Sequence, residues 1–463
     1  MTDAKEWSKK LVYTKKSVYQ NRDDNAIDAA YEYARGYATF LDAAKTEREA
    51  VREGIRMASE KGFRPYRHGE PMQAGDKFYY NNHDKSLYLF VIGSEPIENG
   101  IRIAAAHVDS PRLDLKPCPL YEDSGMSFFK THYYGGIRKY QWVATPLALH
   151  GVVVKKDGTV IEITIGEDDN DPVFYINDLL PHLGHEADRK PLGEAIPGEK
   201  LNVLVGARPF DDSDDADNIK LRTLYLLHEK YGITEEDFLS AELCVVPAFR
   251  ARDIGFDRAL IGAYGHDDRV CAYPALSAIL ESTAPTHTLM CVLADKEEIG
   301  SEGVTGMKSA IMPDLIDAIA RNGHADPALV RAASRCLSAD VSAAFDPNFA
   351  DAFEKRNSAL LSAGVVLTKY TGARGKSSTN DASAEYIGWL RGVMENANVI
   401  WQAGELGKVD GGGGGTVAKY IAELNIETVD LGVPVISMHA PFEVIAKVDL
   451  FETYRAFSAF FTA

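Results

Sequence analysis

The spacing of apolar residues divides the first part of the chain into a helical stretch followed by strands. Apolar residues recur at helical spacing over 25–61, with charged residues between them, and Gly62 ends the pattern. Short apolar runs then predict strands over 77–80, 87–92 and 101–106. Because the run over 101–106 is almost wholly apolar, we expect that strand to be buried on both faces of a mixed sheet.

The pattern changes after residue 116 and changes again near residue 239. Apolar and polar residues alternate over 126–165, as in antiparallel strands, and a helix is predicted over 219–231 after an acidic loop at 211–217. Strand-like runs then alternate with helical stretches, and these runs are 243–246, 288–293, 336–341 and 433–437. The fold class is therefore α/β. We expect a mixed-sheet α/β domain from residues 1–116 and 241–463, with a mainly β domain inserted at 117–240.

Composition and charge narrow the class of protein. The 463 residues exceed what one ordinary core holds, which favours two domains. The net charge of -18 makes nucleic acid a poor partner, and no apolar stretch reaches the roughly 18 residues that a membrane span needs. Five widely spaced cysteines without a CxxC pair exclude a four-cysteine zinc site and favour reduced thiols. We expect a cytoplasmic protein that binds neither nucleic acid nor membrane.

Polar residues follow the apolar runs at five points, and each offers a metal ligand. The first is His107, which directly follows the 101–106 strand and precedes Asp109 by two residues. A metal-bound histidine commonly donates its second ring N–H to a carboxylate, and the side chains of a His-x-Asp segment leave the same face of an extended chain. A histidine that is satisfied by a backbone carbonyl is the alternative for this segment.

Three of the other four points have an ordinary explanation when taken singly. Asp267 lies in an Asp-Asp-Arg segment before a helix, where a helix cap is the alternative. Asp340 lies near the end of a strand-like run, where a helix cap or an Asx turn is the alternative. Glu297 and Glu298 follow the 288–293 run, where a solvated charged turn is the alternative. Adjacent carboxylates can also divide the labour, one binding a metal and the other acting as general base. His439 follows the last apolar run.

Taken together, these points predict a metal centre. They supply two histidines and three carboxylates, all at strand ends of the α/β part, which is where such folds place their sites. That set is sufficient for two divalent ions that share one bridging carboxylate. Nitrogen and oxygen ligands favour zinc, with cobalt and manganese as alternatives.

The amino-acid sequences of these segments resemble the motifs of the aspartyl aminopeptidase (aminopeptidase I) family of co-catalytic metallopeptidases. The similarity runs from about residue 20 to the end of the chain. The matching segments are HVDSP (107–111), DKEEIGS (295–301), SAD (338–340), MH (438–439), ELC (242–244) and YGG (134–136).

The resemblance implies a role for each residue of the predicted centre. His107 and Asp340 complete one metal site, Glu298 and His439 complete the other, and Asp267 bridges the two. Glu297 is then the general base, and Asp109 orients His107. The implied activity is removal of N-terminal residues from peptides, acidic ones in some members. The family's inserted β domain serves dimerisation, and its dimers assemble into a tetrahedral dodecamer.

Candidate substrate-binding residues lie outside the metal centre. Arg374 and Lys376 could pair with an acidic substrate side chain, although a solvated basic loop is the alternative. The glycine tract that contains Gly413 could bring backbone close to a ligand, and it does not follow a strand as a dinucleotide fingerprint should. His182 and His185 fit the family's active-site histidine stretch only with a one-residue gap.

Two other functions remain open at this point. A di-zinc carboxypeptidase or amide deacylase of the same broad fold has similar ligand spacing, but it needs a cation for the substrate carboxylate. A non-catalytic assembly scaffold is the alternative from a different class. That reading is disfavoured because Glu297 and the five predicted ligands are all present.

Overall fold

The computed structural model describes residues 4–212 and 217–463. The α-helices within these residues are α1 (Ala4–Leu11), α2 (Val18–Asn21), α3 (Asp24–Ala43), α4 (Glu47–Glu60), α5 (Leu192–Ala195), α6 (Asn218–Tyr231), α7 (His266–Glu281), α8 (Ile311–Asn322), α9 (Pro327–Ala333), α10 (Ala384–Asn396), α11 (Ala418–Ala422) and α12 (Lys447–Thr462). The strands are β1 (Arg64–Pro65), β2 (Lys77–Asn82), β3 (Ser86–Val91), β4 (Ile101–His107), β5 (Arg112–Asp123), β6 (Met126–Tyr134), β7 (Leu147–Val154), β8 (Val160–Ile165), β9 (Tyr175–Ile176), β10 (Val203–Gly206), β11 (Ala241–Pro247), β12 (Arg252–Ile254), β13 (Leu260–Ala263), β14 (Thr288–Ala294), β15 (Arg335–Ser338), β16 (Ser342–Ala343), β17 (Val365–Thr368), β18 (Trp401–Ala403), β19 (Glu427–Gly432), β20 (Pro434–Ile436) and β21 (Glu443–Ala446).

A mixed nine-stranded sheet forms the centre of the molecule. Its order is β1-β2-β3-β14-β4-β15-β19-β17-β18, and β4 runs parallel to both of its neighbours. All of β4 is buried, because Ala104 and Ala106 pack into one core while Ile103 and Ala105 pack into the other. The predicted mixed sheet and doubly buried strand are therefore present.

A seven-stranded antiparallel sheet forms a second layer with its own core. Its order is β8-β7-β11-β5-β6-β10-β9. The antiparallel strands predicted over 126–165 are β6, β7 and β8, and β7 and β8 pair at one edge of this sheet. The run over 243–246, expected in the α/β part, belongs here instead, because β11 pairs with both β5 and β7. This sheet therefore begins before residue 117 and ends after residue 240. The acidic loop predicted at 211–217 lies partly outside the described residues.

A third sheet of five strands has the order β12-β13-β21-β20-β16. In it, β21 pairs antiparallel with both β13 and β20. The apolar run over 433–437 contributes β20 to this sheet and not to the nine-stranded one, which corrects the expectation of a single set of strand ends.

The helical stretch predicted over 25–61 is two helices. The helix α3 ends at Ala43, and Thr46 begins α4 with a reciprocal capping box to Glu49. The apolar spacing persists through the break, so periodicity alone could not locate it. Between the two helices, Lys45 is buried. Among the helices that the structure describes, none has the length and apolarity that a bilayer crossing requires.

A buried charged cluster joins the second sheet to the start of α4. The ring of His150, on β7, makes hydrogen bonds of 2.8 Å to Glu49 and 2.9 Å to Glu167. Glu167 also accepts a hydrogen bond of 2.7 Å from Lys45. Burial lowers the pKa of His150, but the two carboxylates outweigh it and raise the pKa to about 9.

We predict that this cluster makes stability pH-dependent. Because the folded-state pKa of His150 exceeds its ordinary value of 6.5, its stabilisation is complete below pH 6.5 and is lost as the pH rises through about 9. The free-energy difference between wild type and His150→Gln should shrink over that range by roughly 3 kcal/mol. Denaturant unfolding at both ends of the range measures it. The exposed His132→Gln variant is the control, and a constant difference for His150→Gln would contradict the prediction.

Candidate metal centre

Three neighbouring strands of the nine-stranded sheet end beside one another, and each leads into predicted site residues. His107 is the last residue of β4, Glu297 and Glu298 form a short turn after β14, and Asp340 lies two residues beyond β15. Because β14 and β15 both run parallel to β4, the carboxyl ends of all three lie at the same edge of the sheet.

The remaining two residues come from the five-stranded sheet. Asp267 follows β13, within the irregular first turn of α7, and His439 follows β20. The segments that carry them meet the edge of the nine-stranded sheet, so two sheets build the centre.

The carboxylate of Asp267 lies between the two histidines. One oxygen is 3.1 Å from Nε2 of His107, and the other is 3.1 Å from Nε2 of His439. A glutamate, Glu298, is 3.5 Å from His439, and Asp340 is 4.0 Å from His107. Donor atoms around a tetrahedral zinc ion lie roughly 3.3 Å apart, since its bonds to nitrogen and oxygen are about 2.0–2.2 Å long. These spacings fit that geometry, with Asp267 shared.

Unsatisfied oxygens support the fit to metal ions. Oε1 of Glu298 and both carboxylate oxygens of Asp268 are buried without a hydrogen-bond donor. The donor atoms form three groups, and within each group all of them lie within 4.8 Å of one another. The groups are His107 with Asp268 and Asp340, His107 with Glu297 and Glu298, and Asp267 with Glu298 and His439. Each group mixes histidine nitrogen with carboxylate oxygen, which suits zinc.

The pKa shifts of the cluster also support a fit to metal ions. Burial, reinforced by neighbouring carboxylates, raises the pKa of Asp340 and of Glu298 well above the ordinary range. Burial lowers the pKa of His439, but Asp267 and Glu298 outweigh it and raise the pKa to about 10. Carboxylates buried this closely repel one another, and a bound cation relieves that repulsion.

Glu297 lies beside the cluster with its carboxylate uncommitted. Its Oε2 is 3.9 Å from Nε2 of His107, and no hydrogen bond of the described residues engages its side chain. Burial raises the pKa of Glu297 to about 7, and Asp109 and Asp267 add to the rise. A carboxylate with a pKa near the working pH can both accept and return a proton.

Asp109 was predicted to orient His107, and it also holds the glutamate turn. Nδ1 of His107 lies 3.0 Å from the carbonyl oxygen of Asp109 and 3.4 Å from its carboxylate. That carboxylate accepts hydrogen bonds from the backbone amides of Glu297 and Glu298, at 3.1 and 3.2 Å. The hydroxyl of Tyr134 donates a further hydrogen bond of 2.8 Å.

The structure places at the centre several residues to which the sequence assigned no role. Asp268, the second residue of the Asp-Asp-Arg segment, lies with His107 and Asp340. Tyr134, Gly135 and Gly136 come from the seven-stranded sheet, and the carbonyl of Gly136 accepts a hydrogen bond of 2.8 Å from Nδ1 of His439. Pairing of β6 with β5, which begins three residues after Asp109, brings this segment to the centre. In the sequence, only the YGG motif of this segment could have indicated that it lies at the centre.

A pocket of about 470 Å³ opens from the metal centre. The backbone of 413–415 lines it, so Gly413 lies where a substrate-binding residue would. Arg374 and Lys376 line a neighbouring pocket of about 390 Å³, which shares Thr371 and Leu406 with the first. His182 and His185 are exposed and line neither pocket.

A buried cluster of histidines and carboxylates at strand ends, with an uncommitted glutamate beside it, defines a metallohydrolase of mixed α/β fold. The family model of aminopeptidase I zinc metalloproteases (M18) matches residues 40–461. The chain therefore belongs to the M18 family. The family and the enzyme class predicted from the sequence, a zinc metalloaminopeptidase, are confirmed.

Individual M18 proteins are similar to this chain over nearly its whole length. A probable M18 family aminopeptidase 1 of Clostridium acetobutylicum is 48% identical over 453 residues, covering 96% of this chain and 97% of that protein. The crystal structure of an M18 family aminopeptidase from Thermotoga maritima has a TM-score of 0.92 at 43% identity, covering 97% of this chain and 99% of that one. The mApe1 dodecamer of S. cerevisiae, at 20% identity, covers 93% and 96% with a TM-score of 0.75 and shares the fold.

We predict that a side chain at Gly135 disturbs the centre. Gly135 has a φ of +72°, and a Cβ there would lie 3.1 Å from Oε2 of Glu298. The Gly135→Ala variant should lower zinc affinity and kcat/KM by at least about tenfold, because the added Cβ would displace the carboxylate of the predicted ligand Glu298, and changes next to a ligand typically cost that much.

Gly125, in the same β5–β6 hairpin, provides the matched control. Its φ is +78°, but a Cβ there would meet nothing within 4 Å. Gly125→Ala therefore has the same backbone strain without the approach to Glu298, and its zinc affinity should equal that of wild type. Equal zinc affinities for the two variants, measured by chelator competition, would contradict the prediction.

Proposed function

We propose that the centre holds two zinc ions and removes the N-terminal residue of peptides. His107 and Asp340 bind one ion, Glu298 and His439 bind the other, and Asp267 bridges them. The observation that carries this proposal is the position of the Asp267 carboxylate, whose two oxygens each lie 3.1 Å from a different histidine. One carboxylate that faces two nitrogen donors is suited to bridge a pair of metal ions.

When bound, the ions would activate a water, polarise the first peptide carbonyl and hold the free α-amine of the substrate. Glu297 takes a proton on Oε2 from the attacking water and returns it to the leaving amine. Its pKa of about 7, raised by burial, suits both transfers. Asp109 holds the amides of the Glu297–Glu298 turn and the ring of His107, so the base and two ligands share one support.

The pocket beside the ions receives the N-terminal side chain. Its wall at 413–415 offers backbone without side chains, which allows a substrate to approach closely. A preference for acidic N-terminal residues would rest on Arg374 and Lys376 in the neighbouring pocket. Lys376 is already paired with Asp381 at 3.0 Å, whereas Arg374 makes no ion pair among the described residues.

The proposal extends to the assembly and location of the protein. The part built on the seven-stranded sheet, residues 117–240 in the predicted division, would serve as a dimerisation domain inserted into the catalytic α/β domain. Dimers would then form a tetrahedral dodecamer in the cytoplasm. Support for the assembly comes from the shared fold with the mApe1 dodecamer.

We predict that Glu297→Gln abolishes peptidase activity without removing the metal. Loss of a general base costs about a hundredfold or more in kcat. Hydrolysis of aminoacyl-nitroanilides and short peptides with added zinc, cobalt or manganese measures the activity, and metal analysis measures occupancy. The exposed Glu302→Gln is the control. Wild type that releases no N-terminal residue under any metal would overturn the proposed function.

We predict that Arg374 contributes to the choice of N-terminal residue. If it pairs with an acidic side chain, Arg374→Gln should lower kcat/KM for Asp-terminal substrates about tenfold, the cost of one charge-assisted hydrogen bond. Leu-terminal substrates should be unaffected. Arg391→Gln, an exposed change on α10, is the control. Equal effects on both substrates would remove Arg374 from this role.

A further inference from the structure

Glu443 lies where the two segments of the five-stranded sheet that carry metal ligands meet. It is the first residue of β21, the strand between β13 and β20. Because β21 runs antiparallel to both neighbours, its first residue lies beside their last residues, as shown by the pairing of Ala263 with Glu443. The segments that leave β13 and β20 lead to Asp267 and His439.

The carboxylate of Glu443 binds the backbone of both ligands. Its Oε2 accepts a hydrogen bond of 3.0 Å from the amide of Asp267, and its Oε1 accepts one of 2.6 Å from the amide of His439. The side chain is buried, with 1% of its surface exposed. Both oxygens are engaged by amides, so Glu443 supports the ligands and is not itself a ligand.

The two segments need such support because their backbones are irregular. His439 has a φ of +65° and Ser437 a φ of +61°, both in the left-handed region that non-glycine residues rarely adopt. Asp267 has a ψ of 107° inside the first turn of α7, so it lacks regular helical geometry. Strained backbone persists only where surrounding contacts hold it.

Glu443 also completes the constraints on His439. The Nδ1 of His439 is held by the carbonyl of Gly136, and Nε2 faces Asp267 at 3.1 Å. With its amide held by Glu443, the residue is fixed at its backbone and at one ring nitrogen, which leaves Nε2 for the metal.

We propose that Glu443 is a positioning residue that sets the spacing of Asp267 and His439 and thereby the zinc affinity of the centre. This inference rests on the proposed metal site. One carboxylate hydrogen-bonds the backbones of two proposed ligands that follow different strands. Loss of a group that hydrogen-bonds a metal ligand typically changes metal affinity by about 10–100-fold.

The test compares Glu443→Gln with a matched change elsewhere. Asp449 is also a fully buried carboxylate, and it accepts hydrogen bonds of 2.7 Å from the amides of Ser362 and Gly364. Those residues also have positive φ, of +62° and +83°, but they hold no residue of the metal centre. Asp449→Asn therefore removes the same kind of support without touching the ligands.

Zinc dissociation constants of the full chain, obtained by chelator competition, distinguish the outcomes. We expect Glu443→Gln to weaken zinc binding at least about tenfold, with kcat recovering at saturating zinc, while Asp449→Asn matches wild type in affinity even where its thermal stability falls. Equal affinities for wild type and Glu443→Gln would overturn the inference and leave the proposed function intact. A wild type that binds no zinc would overturn both.

A measurement on the wild type covers the case in which Glu443→Gln fails to fold. Hydrogen exchange of the metal-free protein should show slow exchange at the amides of Asp267 and His439, because both donate to a buried carboxylate. Exchange at both positions as fast as in an exposed loop would overturn the inference.

Discussion

Mutual repulsion among buried carboxylates is the constraint on which the centre depends. Asp267, Asp268, Glu298 and Asp340 are gathered beside two histidines, and several of their oxygens have no hydrogen-bond donor. A folded chain tolerates such a concentration of negative charge only if protons or metal ions compensate it. The same burial that makes the carboxylates repel one another favours a bound cation at this site. Holding them together therefore requires a rigid frame, and the three sheets provide it.

Different sheets supply different residues of the centre. The nine-stranded sheet supplies His107, the glutamate turn and Asp340 from parallel strand ends. The five-stranded sheet supplies Asp267 and His439. Neither sheet alone carries a complete ligand set, so the centre exists only where the two meet. Buried carboxylates then join the parts, since Asp109 holds the glutamate turn and Glu443 holds the backbones of Asp267 and His439.

The seven-stranded sheet also reaches the centre. Tyr134 donates a hydrogen bond to Asp109, and the carbonyl of Gly136 fixes the ring of His439. On its other side, the His150 cluster joins the sheet to the start of α4. Any change in the position of this sheet would therefore be felt at both histidines of the centre. These contacts with Asp109 and His439 join the sheet to the candidate metal centre, and the same sheet is the proposed surface for assembly.

The sequence by itself determined the residue types of the candidate centre and their order along the chain. An apolar run followed by a polar residue is a local pattern, and it was sufficient to predict His107, Glu297, Glu298 and Asp340. The sequence motifs of these segments indicated the family. The break between α3 and α4 also has a local cause, the capping box of Thr46 and Glu49, which apolar periodicity does not record. The membership of β11 in the second sheet and the origin of Asp267 and His439 in a third sheet were decided by tertiary structure. So were the roles of Glu443, Tyr134 and Gly136, because these depend on which strands pair. Strand pairing is set by packing across long separations in the chain, which local periodicity does not record.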